Sequence, residues 1–427
     1  MSSKTKSTAT KEEATSALVP KLRFPEFRGK EGWTEKPLKA AAHINPGNDG
    51  LPESFIYIDL ESVEAGNLKA KNRISREGSP SRAQRLVEHG DIIFQVVRPY
   101  QRNNLLCEFD DDDDYVASTG YAQLRAKGSN RFLYQSIHTD SFVGRVMAKC
   151  TGSNYPAINS SDLADIQLPL PATLPEQQKI AECLSSVDEL IAAQARKVDA
   201  LKTHKKGLMQ QLLPREGETQ PRLRFPEFKD AGEWKRRKIS SLLARVVSPV
   251  CVESEEMYRE IGIRSHGKGI FHKEPVLGKA LGDKRVFRVE ERAFVLNIVF
   301  AWEQAVAVTS MAEKEMVASH RFPMYKPIER ESNIDFIKYF FLTNKGKELL
   351  GIASPGGAGR NKTLGQKEFE KLELLCPANV EEQTAIAHSL SSADALVTTE
   401  SQKLEALKTH KKGLMQQLFP SPEAVEA

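Results

Sequence analysis

A thirteen-residue sequence occurs twice in this chain, at residues 200–212 and 406–418, and it limits the possible folds more than any other feature. Both copies read Ala-Leu-Lys-Thr-His-Lys-Lys-Gly-Leu-Met-Gln-Gln-Leu. Because an identical run of this length does not arise by chance, it indicates that the chain contains two copies of one structural unit.

Shorter matches extend the repeat over most of the chain. They relate Leu22–Phe27 to Leu223–Phe228, Trp33 to Trp234, Val116–Ser118 to Val317–Ser319, and Glu176–Gln177 to Glu382–Gln383. The copies agree closely at their ends and differ in their middles, residues 34–172 and 235–378. Each middle has the length of an independent domain.

Apolar residues alternate at steps of three and four in two long segments, which is typical of coiled-coil helices. Eight of the ten seam positions are apolar in each copy, and the polar exceptions match between copies: Gln194 and Lys205, then Glu400 and Lys411. Capping boxes are predicted from Thr173 to Glu176 and from Asn379 to Glu382. Pro214 and Pro420 end the helices. Since one helix cannot bury its seam alone, we expect the two helices to pair in antiparallel orientation.

These patterns predict an α/β (α+β) fold with two globular domains, two long antiparallel coiled-coil helices and a pseudo-twofold internal repeat. Residues 91–97 and 293–299 are predicted to be buried strands, and residues 336–350 one amphipathic helix. The expected segments are a disordered tail (1–19), a first domain (20–172), a first helix (173–213), a second domain (214–378), a second helix (379–420) and a tail (421–427).

Composition excludes a membrane or disulfide-stabilised protein. No apolar run approaches the roughly 20 residues that cross a bilayer, and the first residues lack the apolar region of a secretory signal. The five cysteines are scattered and form no CxxC pair, which fits a reducing compartment. We therefore expect a cytoplasmic protein. The net charge of +4 alone indicates little about partners.

No catalytic motif is complete. Gly356–Thr363 approaches a phosphate-binding loop, but Asn361 stands where the second glycine should be. Asn45-Pro46-Gly47 lacks the second proline and the aromatic residue of adenine methyltransferases. The nine histidines show no metal-ligand spacing. The run Asp110–Asp114 predicts a solvated loop, which would have to point away from any bound DNA because phosphates would repel it. We therefore expect a non-catalytic chain without a metal site.

Taken together, these segments resemble the specificity subunit of a Type I restriction–modification system. The resemblance covers about residues 20–420 and rests on three pairs of motifs: Arg23–Phe27 with Arg224–Phe228, Glu176–Gln177 with Glu382–Gln383, and Leu201–Leu212 with Leu407–Leu418. Each motif alone would be weak, but the combination is specific.

The resemblance implies that each variable domain is a target recognition domain, which reads one half of a bipartite target in double-stranded DNA. The helices would set the spacing between the half-sites. Two methyltransferase (modification) subunits would dock on the repeated regions, and restriction/translocase subunits would join them. S-adenosylmethionine, ATP and Mg would then be bound by partner subunits, and no cofactor by this chain.

Sequence readout requires Arg for guanine and Asn or Gln for adenine, while other cations hold phosphates. In the first domain, the candidates are the loop residues Arg98, Tyr100, Arg102 and Asn103, the phosphate contacts Arg73, Arg76 and Arg82, and the small-residue loop Ser153, Asn154 and Tyr155. In the second domain they are Arg264, His266 and Lys268, and then Arg360, Asn361 and Lys362, whose place is similar to that of residues 152–158.

Two alternatives stay open on the sequence alone. The chain could be a stand-alone restriction or methylation enzyme with an unrecognised active site, in which case the purified chain would methylate or cleave DNA without partners. It could also be a coiled-coil scaffold without a nucleic-acid role, in which case it would not bind DNA.

Overall fold

A computed structural model describes residues 18–215, 217–282, 284–356 and 362–420 of the chain. Its contacts divide the chain into two units. Unit 1 contains Met1–Gln194 and Lys403–Ala427, and unit 2 contains Ala195–Gln402. The division falls within both long helices, so each unit combines one variable domain with a segment of each helix. The domain boundaries expected from the sequence stay a prediction.

Unit 1 mixes short strands and short helices. Its strands are β1 Thr34–Pro37, β2 Ala42–Ile44, β3 Ser54–Ile58, β4 Val63–Glu64, β5 Asn67–Leu68, β6 Arg73–Ser75, β7 Ala83–Val87, β8 Ile92–Gln95, β9 Leu105–Leu106, β10 Tyr115–Ser118, β11 Tyr121–Ala126 and β12 Gln167–Leu170. Its helices are α1 Leu38–Ala41, α2 Asn130–Ser136, α3 Asp140–Lys149 and α4 Ser160–Ala164, followed by α5 Leu174–Leu212, which continues into unit 2. Two four-stranded sheets, ordered β6-β3-β10-β7 and β2-β11-β8-β9, form the body of the domain.

Unit 2 has the same kinds of element. Its strands are β13 Lys235–Lys238, β14 Leu243–Val246, β15 Met257–Tyr258, β16 Ile261–Ile263, β17 Ile270–His272, β18 Val276–Leu277, β19 Val286–Arg288, β20 Phe294–Leu296, β21 Val306–Val308, β22 Val317–Ser319, β23 Met324–Pro327 and β24 Glu373–Cys376. Its helices are α6 Gly278–Leu281, α7 Ile334–Phe341, α8 Asn344–Ile352 and α9 Gln366–Lys371, followed by α10 Val380–Leu418, which continues into unit 1. One sheet of four strands has the order β14-β23-β20-β21. The predicted mixed fold with two long helices is confirmed.

The strands predicted at residues 91–97 and 293–299 are confirmed as β8 and β20, whose residues are all buried. The single helix predicted over residues 336–350 is wrong. Helix α7 ends at Phe341, and Thr343 begins α8 by accepting a hydrogen bond from the Gly346 amide at 3.0 Å. The sequence pattern missed the break because both short helices place apolar residues in the same core.

A buried arginine connects the start of unit 1 to the first turn of α5. Arg23 Nε and Nη2 donate to the two carboxylate oxygens of Glu176 at 2.7 and 2.8 Å. Trp33 Nε1 donates to the same carboxylate at 3.1 Å. The guanidinium also donates to the carbonyl oxygens of Lys30 and Glu31, and the bond to Glu176 raises the pKa of Arg23. Because a buried charge is stable only when it is paired and hydrogen-bonded, this cluster fixes the chain against the helix.

Unit 2 contains the same cluster at the repeated positions. Arg224 Nε and Nη2 donate to Glu382 at 2.8 and 2.7 Å, and Trp234 Nε1 donates to Glu382 at 3.1 Å. Arg224 also donates to the carbonyl oxygen of Gly232 at 2.7 Å. We call each set, Arg23–Glu176–Trp33 and Arg224–Glu382–Trp234, an arginine–glutamate–tryptophan cluster. The repeated Arg, Trp and Glu of the sequence therefore have an internal structural role in both units.

The predicted capping boxes form only in part. Asn379 Oδ1 accepts the Glu382 amide at 3.3 Å, but the carboxylates of both glutamates bind arginine. The glutamine that follows each glutamate holds a second helix. Gln177 Oε1 accepts a hydrogen bond from the Ser129 amide before α2, and Gln383 Oε1 accepts one from the Asn333 amide before α7. Hence the repeated Glu-Gln pair joins each long helix to its own domain.

In unit 2, ion pairs show that the segments of α5 and α10 run antiparallel. Lys197 contacts Glu400 at 3.1 Å, and Lys205 contacts Asp394 at 2.5 Å. The partner's number falls as the number in α5 rises. The Tyr339 hydroxyl donates to the same Asp394 carboxylate at 2.7 Å, so the seam is also attached to the domain.

In unit 1, the other halves of the two helices pair in the same sense. Leu184 packs in one cluster with Leu418, and Asp188 binds Lys411 at 2.7 Å. Gln135 donates to the Asp188 carboxylate at 2.9 Å. The predicted antiparallel pairing is confirmed in each unit, and the lysines that interrupt the predicted seam are the ones that pair with aspartate.

We predict that Glu382→Ala lowers the free energy of unfolding by about 3–5 kcal/mol, because it leaves the Arg224 guanidinium partly buried without its counter-charge. Urea denaturation of the full chain measures this change. Glu381→Ala is the matched control, since Glu381 is the exposed neighbour in the same helical turn and should cost less than about 1 kcal/mol. Equal losses for both variants would show that the cluster adds nothing specific.

Candidate nucleic-acid interface

Three backbone hydrogen bonds bring distant segments of unit 1 together on one face. The Thr119 amide donates to the Arg82 carbonyl at 2.8 Å, and the Val96 amide donates to Gly120 at 3.0 Å. The Ile158 amide donates in turn to Val96 at 3.0 Å. We call the surface formed by Arg82, Val96–Arg98, Thr119–Gly120 and Ser153–Ile158 the loop face of unit 1.

The loop face contains a stacked cation and an exposed aromatic ring. The Arg98 guanidinium lies 4.3 Å from the ring centroid of Tyr155, a side chain that is 64% exposed. Arg98 has a left-handed backbone (φ 55°), and its amide donates to the Pro156 carbonyl at 2.7 Å. Ser153 and Asn154 are exposed beside this stack in sequence. Non-glycine residues in this conformation concentrate at functional sites, so the two loops that the sequence singled out separately form one candidate site.

Unit 2 builds the same face with three equivalent bonds. The His320 amide donates to Arg285 at 3.3 Å, the Ile298 amide to Arg321 at 3.0 Å, and the Leu364 amide to Ile298 at 2.8 Å. We call the surface formed by Arg285, Ile298–Trp302, His320–Arg321 and Lys362–Leu364 the loop face of unit 2. Its counterpart to Val96–Arg98 is thus Ile298–Phe300.

The loop face of unit 2 also contains a cation above an aromatic ring, with the roles of the two loops exchanged. Lys362 Nζ lies 5.5 Å from the ring centroid of Trp302. In unit 1 the loop after β8 supplies the cation, Arg98, and the loop at residues 153–158 supplies the ring, Tyr155. In unit 2 the loop after β20 supplies the ring, Trp302, and the segment 362–364 supplies the cation, Lys362. Such pairs are stabilised by about 0.5–2 kcal/mol and leave aromatic and cationic surface available to nucleic acid.

Two clefts adjoin the loop face of unit 2. One of about 280 Å³ includes Lys273 and Lys284, both within 4 Å of the Glu260 carboxylate. The other, of about 180 Å³, includes Arg245 and Arg285. Sequence reasoning missed both arginines. Arg245 lies in a strand-like run, and the spacing between Arg82 and Arg285 differs from the spacing that relates Trp33 to Trp234 in the repeat.

Other residues predicted for the first domain lie elsewhere. Arg73 belongs to β6, on the opposite edge of its sheet from the strand that follows Arg82, and it is paired with Asp113. Arg76 is exposed and donates to the Leu51 carbonyl at 3.0 Å. The run Asp110–Asp114 therefore lies against the predicted phosphate contact Arg73, and a phosphate there would have to displace a carboxylate.

Arg102 and Asn103 pack against the body of unit 1. Arg102 donates to the His138 carbonyl at 2.9 Å and to Asp140 at 2.6 Å, and it has a left-handed backbone. Its counterpart Gln304 donates in the same way to the carbonyl oxygens before α8. Asn103 accepts a hydrogen bond from the Ala65 amide. Tyr100, by contrast, is 51% exposed.

Among the predicted residues of the second domain, the segment 264–268 lies against the loop that supplies Trp302, because Ser265 Oγ donates to the Glu303 carboxylate at 2.8 Å and the Gly267 amide donates to the Gln304 carbonyl at 3.0 Å. Arg264 is exposed and lies over the ring of Phe271, at 4.8 Å from its centroid. His266 has a left-handed backbone, and its amide donates to the Glu303 carbonyl at 2.7 Å. Lys268 is exposed. Arg360 and Asn361 lie outside the described residues.

Metal clusters, disulfides and membrane-spanning helices are absent from the described ranges. No group of three or more His, Cys, Asp or Glu there could hold a metal ion. The five cysteines are all described and are free thiols. Across the same ranges, none of the helices combines the length and the apolar character needed to cross a membrane.

Comparison with known proteins follows the same division of the chain. The model of the type I restriction modification DNA specificity domain matches residues 63–203 and 288–409. A protein of Methanocaldococcus jannaschii named "Putative type I restriction enzyme MjaX specificity subunit" is 23% identical over 273 residues, or 62% of this chain. The chain spans 61% of that relative's length.

Two solved structures share the fold. The type I restriction–modification S subunit of M. genitalium has a TM-score of 0.60 at 13% identity and covers 95% of this chain and 100% of its own. A chain from a structural study of type I restriction–modification assembly has a TM-score of 0.52 at 17% identity, with coverages of 91% and 98%.

We predict that Arg98→Ala weakens DNA binding by about 1–3 kcal/mol if the guanidinium reads a base. Binding is measured on the chain's own target, once that is mapped, and on a random duplex. A loss on the target alone identifies a base contact, and an equal loss on both duplexes identifies a phosphate contact.

Tyr155 variants supply the control for the stack. Tyr155→Phe retains the ring beneath Arg98 and should bind almost as well as the native chain, whereas Tyr155→Ala should lose about 0.5–2 kcal/mol. Native affinity in both Tyr155→Ala and Arg98→Ala would remove this loop face from the interface.

Proposed function

The chain belongs to the family defined by the type I restriction modification DNA specificity domain, and from this premise we propose that it is the DNA-recognition subunit of a restriction–modification complex. Each unit would read one half of a bipartite target in double-stranded DNA through its loop face. Arg98 with Tyr155, and Lys362 with Trp302, are the side chains on which we base this assignment.

The observation that carries the proposal is that the two loop faces are held by equivalent backbone hydrogen bonds but present different side chains. Equivalent backbone bonds hold Arg82, Val96 and Ile158 in unit 1 and Arg285, Ile298 and Leu364 in unit 2. Backbone bonds place few demands on the side chains that project from a loop. Equivalent backbone bonds with different side chains suit two domains that recognise different base sequences. A scaffold without a ligand would not need this combination.

The repeated thirteen residues provide the second part of the proposal, a surface for partner subunits. All thirteen positions have the same degree of burial in the two copies. Residues 202–204 and 206, like 408–410 and 412, are exposed, so folding alone does not require their identity. Two equal exposed surfaces suit two copies of one partner, and we propose that two methyltransferase subunits bind them.

Gly207 and Gly413 support the partner surface. A close approach of the other helix does not explain these mid-helix glycines, because a Cβ built at either position meets no described atom within 4 Å outside its own helical turn. Glycine there costs about 1 kcal/mol relative to alanine. A partner backbone approaching at this point would explain why both copies keep it.

The chemistry of the system is assigned to the partners. We propose that S-adenosylmethionine, ATP and Mg are bound by methyltransferase and restriction/translocase subunits, and that this chain is non-catalytic and binds no cofactor. The site of action would be the cytoplasm, where DNA and the partner subunits meet.

We predict that mapping methylated adenines in the host genome, with and without this gene, reveals a bipartite target that depends on the gene. Replacing Ser153–Tyr155 should then change the bases in one half of the target and leave the other half unaltered, because each loop face belongs to one unit. A change in both halves, or methylation that is independent of the gene, contradicts the proposed division.

We also predict that Lys206→Glu and Lys412→Glu each remove one bound methyltransferase subunit per chain, and that the double variant binds none. Light scattering of the purified complex gives the stoichiometry. Arg196→Glu is the matched control, since it reverses an exposed charge on α5 at a position where the second copy has Gln402. Loss of subunits in the control would show a general charge effect.

A further inference from the structure

The smaller cleft of unit 2 has an unusual lining for an exposed protein surface. Its charged and titratable side chains are Arg245, Arg285 and His320, accompanied by Gln366 and apolar groups such as Phe322. No Asp or Glu is found among the described residues that line it. Cationic groups that share a small cleft repel one another unless an anion lies between them, so the lining itself indicates an anionic ligand.

The two arginines of this cleft form no ion pair with a carboxylate among the described residues. Arg245, on the edge strand β14, and Arg285, just before β19, are exposed and make no ion pair with any residue that the structure describes. Their neighbours differ. Arg288, at the end of β19, contacts Glu315 at 3.0 Å, and Lys284 lies 3.8 Å from Glu260.

The position of Arg285 is duplicated in unit 1. The Arg285 carbonyl accepts the His320 amide, and the Arg82 carbonyl accepts the Thr119 amide, at the same point of the loop face. Both arginines are exposed. The variable domains differ at most positions of their loops, yet both place arginine here. A residue type shared by two readers of different sequences suits the part of DNA that does not vary, which is the phosphate backbone.

We infer that Arg285, together with Arg245, holds a phosphodiester group of the second half-site, and that Arg82 holds the equivalent group of the first. This inference rests on the proposed DNA-recognition function and adds the chemical class of the ligand and the residues that bind it. The phosphate contact would fix the register of each half-site while Arg98, Tyr155, Trp302 and Lys362 approach the bases.

The test is the salt dependence of binding between the full chain, with its partner subunits, and a fluorescein-labelled random-sequence duplex. Each phosphate neutralised contributes about 0.9 to the slope of log affinity against log salt concentration. Arg285→Gln and Arg82→Gln should each lower the slope by about 0.9, and the double variant by about 1.8. Arg285→Lys should retain the native slope, because a phosphate contact requires charge more than shape.

Arg288→Gln is the matched control, because Arg288 is an exposed arginine three residues after Arg285 whose charge is already paired with Glu315. A slope that is unchanged in Arg285→Gln, or lowered equally in Arg288→Gln, overturns the inference while leaving the DNA-recognition function intact. A native slope near zero overturns the proposed function and this inference with it. Thermal unfolding of each variant confirms that the exposed substitutions leave the fold unchanged.

Discussion

The bidentate contact between a buried arginine and the first-turn glutamate of a long helix holds each unit to its helix. In unit 1 the same carboxylate of Glu176 receives Arg23 and Trp33, and Gln177, one residue later, receives the amide before α2. One helical turn thus binds the segment that precedes the domain and a helix inside the domain. Because the ion pair is desolvated, losing either partner costs more than an exposed pair would, and the entry to the helix is correspondingly well defined.

The long helices add a second constraint, since their seam is not uniformly apolar. Lysines at two of its positions would weaken an apolar seam, but Lys205 pairs with Asp394 and Lys411 pairs with Asp188. The two aspartates also accept hydrogen bonds from Tyr339 and Gln135, respectively. A polar layer in a coiled coil favours one register over others that would bury an unpaired charge. Each unit therefore specifies both the pairing of its helix segments and their attachment to the domain.

The sequence predicted the helices and the repeat because both are local or periodic signals. The apolar spacing of α5 and the identity of residues 200–212 with 406–418 are visible without any knowledge of tertiary contacts. The two strands at β8 and β20 were predicted for the same reason. The break at Thr343 was missed because its cause is the cap of one short helix within a continuous apolar pattern.

The candidate site was only partly predictable, since its segments meet through non-local bonds. Arg98 and Tyr155 were singled out separately, but only the fold shows that they stack. Arg285 escaped notice because β7 contains a bulge opposite Ala117–Ser118, which shifts the offset between the copies. Arg102 was predicted to contact a base only because it is an arginine in a polar loop. In the structure it donates to the His138 carbonyl and to Asp140. Gln304 makes a similar contact in unit 2, which indicates a structural role for both residues.

The distribution of side-chain and backbone bonds explains how two domains of one chain can diverge without losing their common architecture. Where the copies agree in sequence, the contacts are made by side chains, as with Arg23 and Glu176, so substitution is penalised. Where they differ, the loop face is held by main-chain groups, as between Thr119 and Arg82 or His320 and Arg285. Peptide groups are present whatever the residue type. A loop anchored in this way can acquire new side chains, and hence a new ligand sequence, at little cost to the free energy of folding.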